Sequence, residues 1–221
     1  MPGVQVATPA KVRRDVTVVL CALVAVCAAC STSGSPDKAG ITPTYDQTSG
    51  RLTELAYDSN HNGIIDTWTE MDGARPLRSR IDRNEDGRVD RWEYYDDHAK
   101  LVKVGLSSRD DGRPDAWAFV GPDGKPRRIE ISSTKDEKKV DRWEHYEKDT
   151  LVSAEEDTNH DGRVDKWESY EAGALQTAAF DENGDGKPDR RLVYADGVLV
   201  AIETDPDASG VFKARVSIKP Q

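Results

Sequence analysis

The fourteen residues DTNHDGRVDKWESY, from Asp157 to Tyr170, contain the two features that decide the fold. The first part, up to Asp165, carries Asp or Asn at alternate positions around Gly162, a composition typical of turns. The second part is rich in aromatic residues, which favour β-strands. The segment therefore predicts an acidic loop that leads directly into a strand.

This pattern recurs along most of the chain. An Asp equivalent to Asp165 occurs six times, at steps of 24, 25, 26, 24 and 24 residues, and the six are Asp66, Asp90, Asp115, Asp141, Asp165 and Asp189. Two positions later there is a Trp in five copies and Arg191 in the sixth. A bulky apolar residue follows five positions after every one of these Asp residues. Such a fixed register indicates structural repeats that bury their apolar surface against their neighbours.

Each repeat contains two β-favouring runs separated by a short turn, as in Arg91–Tyr95 and Leu101–Val104. Three of the turns contain an Asp-Gly pair, namely Asp72-Gly73, Asp123-Gly124 and Asp196-Gly197. Asp-Gly predicts a tight hairpin whose two central residues both have positive φ. We therefore predict an all-β fold, an antiparallel meander of about six 24-residue β-hairpin repeats joined by acidic loops. Helices around the loops are the alternative, but the flanking segments are short and rich in β-favouring residues.

The acidic loops resemble the calcium loop of EF-hand proteins, and their Asp-x-Asn-x-Asp-Gly-x-x-Asp pattern is similar to that of dockerin and thrombospondin type 3 repeats. EF-hand loops take side-chain ligands from positions 1, 3, 5, 9 and 12 and the backbone carbonyl of position 7, so any residue can occupy position 7, and Gly stands at position 6. Two loops fill every position. These residues are Asp82, Asn84, Asp86, Arg88, Asp90 and Glu93 in the second loop, and Asp157, Asn159, Asp161, Arg163, Asp165 and Glu168 in the fifth. The resemblance implies that these loops bind Ca²⁺.

The other loops match less completely. The sixth has Leu192 at position 12 and the first has only two carboxylates; their candidate ligands are Asp181, Asn183, Asp185 and Asp189, and Asp58, Asn60, Asn62 and Asp66. In the third loop Arg109 occupies position 3, and arginine cannot ligate a cation. In the fourth, Lys135 and Lys138 lie where ligands are expected, so they are predicted to act as internal counter-charges. We expect these two loops to hold no ion.

Alternatives to calcium follow from the same residues. Asx-Gly loops also occur as solvated turns, but that interpretation does not explain why the Asp and Asn residues fall at odd positions. Magnesium dehydrates reluctantly, which makes it a poorer fit. Zinc is not expected, because the loops have no cysteine and the four histidines share no ligand spacing.

The N-terminus predicts export. A positive segment up to Arg14 precedes an apolar run, Val16–Ala29, which is too short to span a membrane and is typical of a signal peptide. Cys27-Ala28-Ala29-Cys30 resembles a bacterial lipobox, which implies cleavage after residue 29 and a lipid on Cys30. An ordinary secretory signal is the alternative. We therefore assign residues 1–29 to a lipoprotein signal peptide, 30–44 to a flexible tether and 45–221 to the repeat domain. The protein would be anchored to the cell envelope, in the outer membrane where there is one.

Composition narrows the function. The formal net charge of −10 argues against a nucleic-acid partner, because phosphate binding needs clustered Lys and Arg. The repeat region has no cysteine nucleophile, no Gly-x-Ser-x-Gly motif and no phosphate-binding Gly-rich loop, so we do not expect an enzyme. A calcium-stapled structural or interaction protein of the envelope is the first hypothesis. The second is a module that binds a glycan or a protein on an exposed Trp face, although the row of Trp side chains would also serve as core.

Overall fold

The computed structural model of the chain describes residues 40–134 and 139–219. They form fifteen strands in one antiparallel sheet in which each strand lies beside its neighbours in sequence. The strands are β1 Ile41–Tyr45, β2 Leu52–Tyr57, β3 Thr67–Asp72, β4 Arg75–Ile81, β5 Arg91–Tyr95, β6 Leu101–Leu106, β7 Ala116–Val120, β8 Pro126–Ile131, β9 Arg142–Glu147, β10 Thr150–Glu156, β11 Lys166–Glu171, β12 Ala174–Phe180, β13 Arg190–Ala195, β14 Val198–Pro206 and β15 Phe212–Ser217. The all-β hairpin meander is confirmed. In the described ranges no helix is long and apolar enough to cross a membrane.

The N-terminal predictions lie almost wholly outside the described residues. The predicted signal peptide, 1–29, and the predicted lipidation site, Cys30, fall in the part of the chain that is not described. Strand β1 begins at Ile41 and pairs with β2 along its length, so residues 41–44 belong to the sheet although the expected tether extends to 44. Pro43 is compatible with this strand because β1 lies at the edge of the sheet, where a missing N–H costs no ladder bond.

All six hairpins between β3 and β14 share one irregularity, a β-bulge on the second strand. The register places no partner opposite Leu77, Val102, Arg127, Val152, Gln176 and Val200. A bulge bends its strand and increases the local twist. Because it recurs at one place in every repeat, it is as much a part of the repeat as the acidic loop.

The three Asp-Gly turns do not share one geometry. Asp196 and Gly197 both have positive φ, as expected. Asp72 pairs with Arg75 as the last residue of β3, which moves the turn onto Gly73 and Ala74. At Asp123-Gly124 only the glycine has positive φ, because the chain reverses over a wider turn closed by Gly121 and Lys125. The expectation of two positive φ values is therefore wrong at these two turns.

The two faces of the sheet carry different residues. Directly paired residues share a face, so each Trp lies between small or charged residues of the adjacent strands; Trp92, for example, lies between Arg80 and Gly105. Trp92 is 9% exposed, and the other four Trp side chains are half-buried. The opposite face holds most of the deeply buried residues, including Ile129 and Ala154. Each strand contacts only its sheet neighbours, so the Trp row is neither an enclosed core nor a fully exposed surface.

The acidic loops lie in a row at the same end of the strands. In each loop the N–H of the last Asp donates to the residue that precedes the loop, as from Asp90 to the carbonyl of Ile81 at 3.0 Å. The first residue of the next loop then donates to that Asp, as from Ser107 to the carbonyl of Asp90 at 2.9 Å. These bonds hold neighbouring loops in a fixed register, and this register positions the candidate site.

Candidate metal centre

Four loops close in the same way around their first Asp. Its carboxylate accepts a hydrogen bond from the N–H of the position-6 Gly, and the pairs are Gly63 to Asp58 at 2.6 Å, Gly87 to Asp82 at 2.9 Å, Gly162 to Asp157 at 2.8 Å and Gly186 to Asp181 at 2.7 Å. These four glycines have φ between 85° and 97°, which glycine adopts at no steric cost. The spacing of Asp and Gly therefore produces a tight loop wrapped around one carboxylate.

Positions 3 and 5 also turn inward over the loop backbone. In the second loop Asn84 Oδ1 accepts from Asp86 N at 3.2 Å, and Asp86 Oδ1 accepts from Arg88 N at 2.8 Å. The same two bonds recur in the fifth loop through Asn159 and Asp161, at 2.8 and 2.9 Å. Such bonds set the orientation of oxygen atoms without using all of their acceptor capacity.

The sixth loop repeats this arrangement. Asn183 accepts from Asp185 N at 2.8 Å, and Asp185 accepts from Lys187 N at 2.9 Å. Burial alone would raise the pKa of Asp181, but backbone N–H donors from Gly186 and Gly184 lower it below its ordinary value. The carboxylate at position 1 is therefore held in its charged form, which is the form that binds a cation.

The Asp at position 9 closes the loop. Asp165 accepts from Thr158 N at 3.0 Å and from Asn159 N at 3.2 Å, and Asp189 accepts from Glu182 N and Asn183 N at 2.8 and 3.0 Å. These carboxylates are engaged with the backbone at the mouth of the loop. In EF-hand loops the residue at this position often contacts the ion through a water molecule.

The donors that close the loop differ between the loops. In the first, third, fourth and fifth loops a Ser or Thr hydroxyl also donates to the closing Asp, from Ser59, Ser108, Ser133 and Thr158. The second loop has Arg83 there, which donates only its N–H to Asp90, at 2.6 Å. Burial raises the pKa of Asp90, whereas in the first loop hydrogen bonds from Thr67 and Ser59 outweigh burial and lower the pKa of Asp66.

The position-12 glutamates are not gathered into the loops. Glu93 lies on β5 and accepts from Arg91 Nε at 2.7 Å and from the Tyr95 hydroxyl at 2.6 Å. Glu168 lies on β11 and accepts from Arg142 and from the Tyr170 hydroxyl, both at 2.8 Å. A helix would continue the loop and return position 12 to the ion; a strand carries the same residue away into the sheet. The loops are therefore left with positions 1, 3 and 5 as their convergent side chains.

One carboxylate oxygen in the second loop has no hydrogen-bond partner among the described residues. Asp82 is only 5% exposed, and its Oδ2 accepts from Gly87. Its Oδ1 is buried, and no donor among the described residues reaches it. In the fifth loop, by contrast, Asp157 Oδ1 accepts from Asp161 N at 3.2 Å. An ionised buried oxygen without a partner is costly, and a cation would satisfy it.

The loops gather oxygen donors but few charged groups. Within residues 40–134 and 139–219, no three His, Cys, Asp or Glu side chains assemble into a metal cluster. The second loop instead offers two carboxylates and an amide, Asp82, Asp86 and Asn84, and oxygen donors of this kind suit Ca²⁺ when water and backbone carbonyls complete the shell. The residues present thus fit a weak calcium site and do not fit a zinc site.

The third loop carries its own cation. Arg109 Nε lies 3.3 Å from Asp115 Oδ2, and its guanidinium donates to the carbonyls of Ser132 and Thr134 in the next loop, at 3.2 and 2.8 Å. The guanidinium thus links the third and fourth loops. The lysine counter-charges predicted for the fourth loop, Lys135 and Lys138, lie outside the described residues.

A charged network on the face opposite the Trp row was not predicted from the sequence. Arg142, 7% exposed, contacts Glu144 at 2.9 Å, Glu156 at 3.0 Å and Glu168 at 2.8 Å, across three strands. Lys166 joins Glu156 and Glu168 at 2.8 and 2.9 Å. Burial opposes the charge of Arg142, but the nearby Glu168 and Glu144 raise its pKa above the ordinary value.

The sequence does contain a signal for this network. The motif Arg/Lys-Trp-Glu-x-Tyr occurs at 91–95, 142–146 and 166–170. In a strand its first, third and fifth residues point to one face, and in all three copies the Tyr hydroxyl donates to the Glu. Because the Glu also matched position 12 of an EF-hand loop, its role as a strand residue was hidden.

Comparisons with known proteins add little. The chain matches no protein-family model and no curated protein. Among solved structures, it is similar to the crystal structure of TarM, with a TM-score of 0.34 and 13% identity over 46% of this chain and 18% of that one. It is also similar to the structure of accessory secretory protein 1, 2 and 3 in Streptococcus pneumoniae, with a TM-score of 0.37 and 12% identity over 49% and 19%. The chain thus covers less than a fifth of either structure.

Proposed function

We propose that this protein is a calcium-binding, lipid-anchored component of a bacterial cell envelope with a structural or interaction role, and not an enzyme. The observation that carries the calcium assignment is the buried Oδ1 of Asp82, which lacks a hydrogen-bond partner among the described residues, inside a loop whose other acceptors are held in place. The resemblance to a lipobox at Cys30 supports the anchor. Calcium ions are the proposed ligand, and an envelope protein or polysaccharide is the proposed partner class.

The proposed role of calcium is to stiffen the row of acidic loops at the ends of the strands. The second, fifth and sixth loops each bring two carboxylates and an amide to the inside of a tight turn, and a cation relieves the repulsion between the carboxylates. Because the position-12 carboxylate is engaged elsewhere, we expect weak sites with Kd of about 0.1–1 mM, the range of extracellular calcium modules. Such affinity suits a constitutive staple outside the cell better than an intracellular switch.

Calcium titration of the chelator-treated full chain tests the proposal. At 10 mM Ca²⁺ and a Kd of about 0.5 mM, one site stabilises the folded state by about 1.8 kcal/mol through mass action. Isothermal titration calorimetry measures the binding heat, and a thermal melt measures the stabilisation. Asp86→Asn in the second loop should reduce both, whereas Asp111→Asn, the same change in the third loop, should not. Absence of heat and of a melting shift at 10 mM Ca²⁺ would falsify the calcium assignment.

A glycan- or protein-binding module is the second candidate. It is favoured by the four half-buried Trp side chains on one open face and by Lys103, whose Nζ lies 5.3 Å from the ring centre of Tyr94 and 5.5 Å from that of Phe119. Trp fluorescence of the full chain, titrated with soluble polysaccharides, separates the candidates. A saturable spectral shift supports the module, and an unchanged spectrum supports a structural role.

A further inference from the structure

Position 4 has positive φ in the five loops in which the structure describes it. In the first, second, third and fifth loops it is a non-glycine residue with positive φ: His61 at 64°, Glu85 at 58°, Asp110 at 55° and His160 at 61°. Such values are uncommon outside glycine. In the sixth loop the position is Gly184, with φ 79°. The side chains of Glu85, Asp110 and His160 contact the loop before their own.

Asp110 reaches the second loop in this way. Its Oδ2 accepts from Asn84 Nδ2 at 2.9 Å, and its backbone carbonyl accepts from Arg88 Nη1 at 3.0 Å. A carboxylate can only accept from the nitrogen of an amide, so the contact fixes the Asn84 amide with its oxygen on the opposite side. That oxygen is the one that accepts from Asp86 N inside the loop.

Glu85 does the same for the first loop, and for two amides together. Its Oε1 accepts from Asn60 Nδ2 at 2.6 Å and from Asn62 Nδ2 at 2.5 Å. Both Asn oxygens are thereby turned to the loop backbone, where they accept from Asn62 N at 3.1 Å and from Ile64 N at 2.9 Å. The first loop has the fewest carboxylates of the four that close around an Asp, so the orientation of its amides matters most there.

We propose that Asp110 and Glu85 are positioning residues for the cation sites of the preceding loops, so that neighbouring loops act as a coupled series. The inference rests on the proposed calcium binding. The second loop supports it most directly, because the buried Asp82 Oδ1, which has no partner among the described residues, lies in the same loop as the amide that Asp110 orients. Groups that orient a metal ligand typically contribute 10- to 100-fold to metal affinity. The third loop therefore has a role although its own ligands are replaced by Arg109: it presents Asp110.

The fifth loop supplies an internal comparison. Its following loop has Gly184 at position 4, so no side chain can orient Asn159 from there. A Cβ built on Gly184 meets no atom within 4 Å, and Asp tolerates the left-handed region better than most residues. Gly184→Asp should thus supply a carboxylate that orients Asn159 in the fifth loop.

Nuclear magnetic resonance of the full chain, titrated with Ca²⁺ alone, reads each loop separately through the amide signals of Gly63, Gly87, Gly162 and Gly186. For Asp110→Ala we expect the midpoint of the Gly87 signal to rise about 10-fold, with Gly162 and Gly186 unchanged. Asp110→Asn keeps an acceptor and should give an intermediate midpoint. Glu85→Ala should raise the Gly63 midpoint, and Gly184→Asp should lower that of Gly162.

The possible results are distinguishable. If the Gly87 signal of the unaltered chain responds to calcium but Asp110→Ala leaves its midpoint in place, the coupling is overturned and calcium binding stands. Equal shifts in Asp110→Asn and Asp110→Ala also overturn positioning, because they report the loss of a charge and not of an acceptor. If no glycine signal responds in the unaltered chain, calcium binding and the coupling fail together. The spread of the remaining signals shows in each case that the variant is folded.

Discussion

Replacing Arg142 by Met tests whether the charged network holds the middle of the sheet. The guanidinium touches three carboxylates at 2.8–3.0 Å, and the side chain is 9% exposed. Methionine retains most of the aliphatic stem, so the change removes mainly the charge. Afterwards Glu168 and Glu156 keep Lys166, at 2.9 and 2.8 Å, whereas Glu144 keeps the neutral hydroxyl of Tyr146.

One buried carboxylate is thus left without a cation, and breaking a buried ion pair in this way costs about 3–5 kcal/mol. Urea unfolding of the full chain, followed by circular dichroism and Trp fluorescence, measures the loss if the two transitions coincide. Arg128→Met is the matched control, because Arg128 also pairs with a Glu, at 2.5 Å, but its side chain is 44% exposed. The control should cost less than about 1 kcal/mol. A loss at Arg142 no larger than that of the control would refute the reasoning, and Glu144→Gln as background should reduce the cost of Arg142→Met.

Two further predictions concern the loops. Gly162→Ala places a Cβ in open space at a φ of 93°, so its cost in a thermal melt should come from backbone strain alone, about 1–2 kcal/mol. The same change should weaken the proposed calcium binding of the fifth loop. Gly105→Ala, whose Cβ meets Pro114 at 3.4 Å without positive φ, should cost less in the same melt. The second prediction concerns pH. In Asp58 and Asp181, burial is outweighed by backbone donors, which lower the pKa. The two carboxylates therefore contribute fully to folding stability above the ordinary carboxyl pKa of about 4, and this contribution is lost as pH falls through the lowered pKa. Melting temperatures from pH 6 to 2.5 should therefore drop in the acid range, and Asp58→Asn should flatten part of that drop; a melting temperature constant down to pH 2.5 would contradict this.

The sequence was sufficient for the fold because the same pattern occurs six times. Each repeated Asp, followed two residues later by Trp or by Arg191, marks a strand. The spacing leaves room for only one partner strand per repeat, so the order of the meander follows directly. The recurrent bulge could not be foreseen in the same way. The bulge accommodates one extra residue in the second strand of each hairpin, such as Leu77 opposite β3 and Val102 opposite β5. No turn-forming residue marks its position in the sequence.

The loop interior was also predictable, but only as far as local hydrogen bonds reach. Positions 1, 3 and 5 face inward because their partners are backbone N–H groups two to five residues away. Position 12 depends on the element into which the loop leads. A template drawn from helical proteins assigned Glu93 to the ion, whereas a strand places it beside Arg91 and Tyr95. The contacts of Asp110 and Glu85 lie about one repeat away, and no pattern within one loop predicts them.

The residue that closes each loop is different from the residues proposed to bind the ion. This explains why the repeat persists in loops whose candidate ligands have been replaced. The position-9 Asp accepts from backbone N–H groups in every loop, including the third, where Ser108 N and Arg109 N donate to Asp115 at 2.9 and 3.2 Å. That bond set needs no cation, so a loop keeps its shape when position 3 is Arg. Such a loop can lack an ion and still hold the next loop in register, through the backbone hydrogen bond from Ser132 N to Asp115 O at 2.8 Å. Loop closure therefore depends on position 9, while the proposed cation binding depends on positions 1, 3 and 5, and the two can diverge from loop to loop.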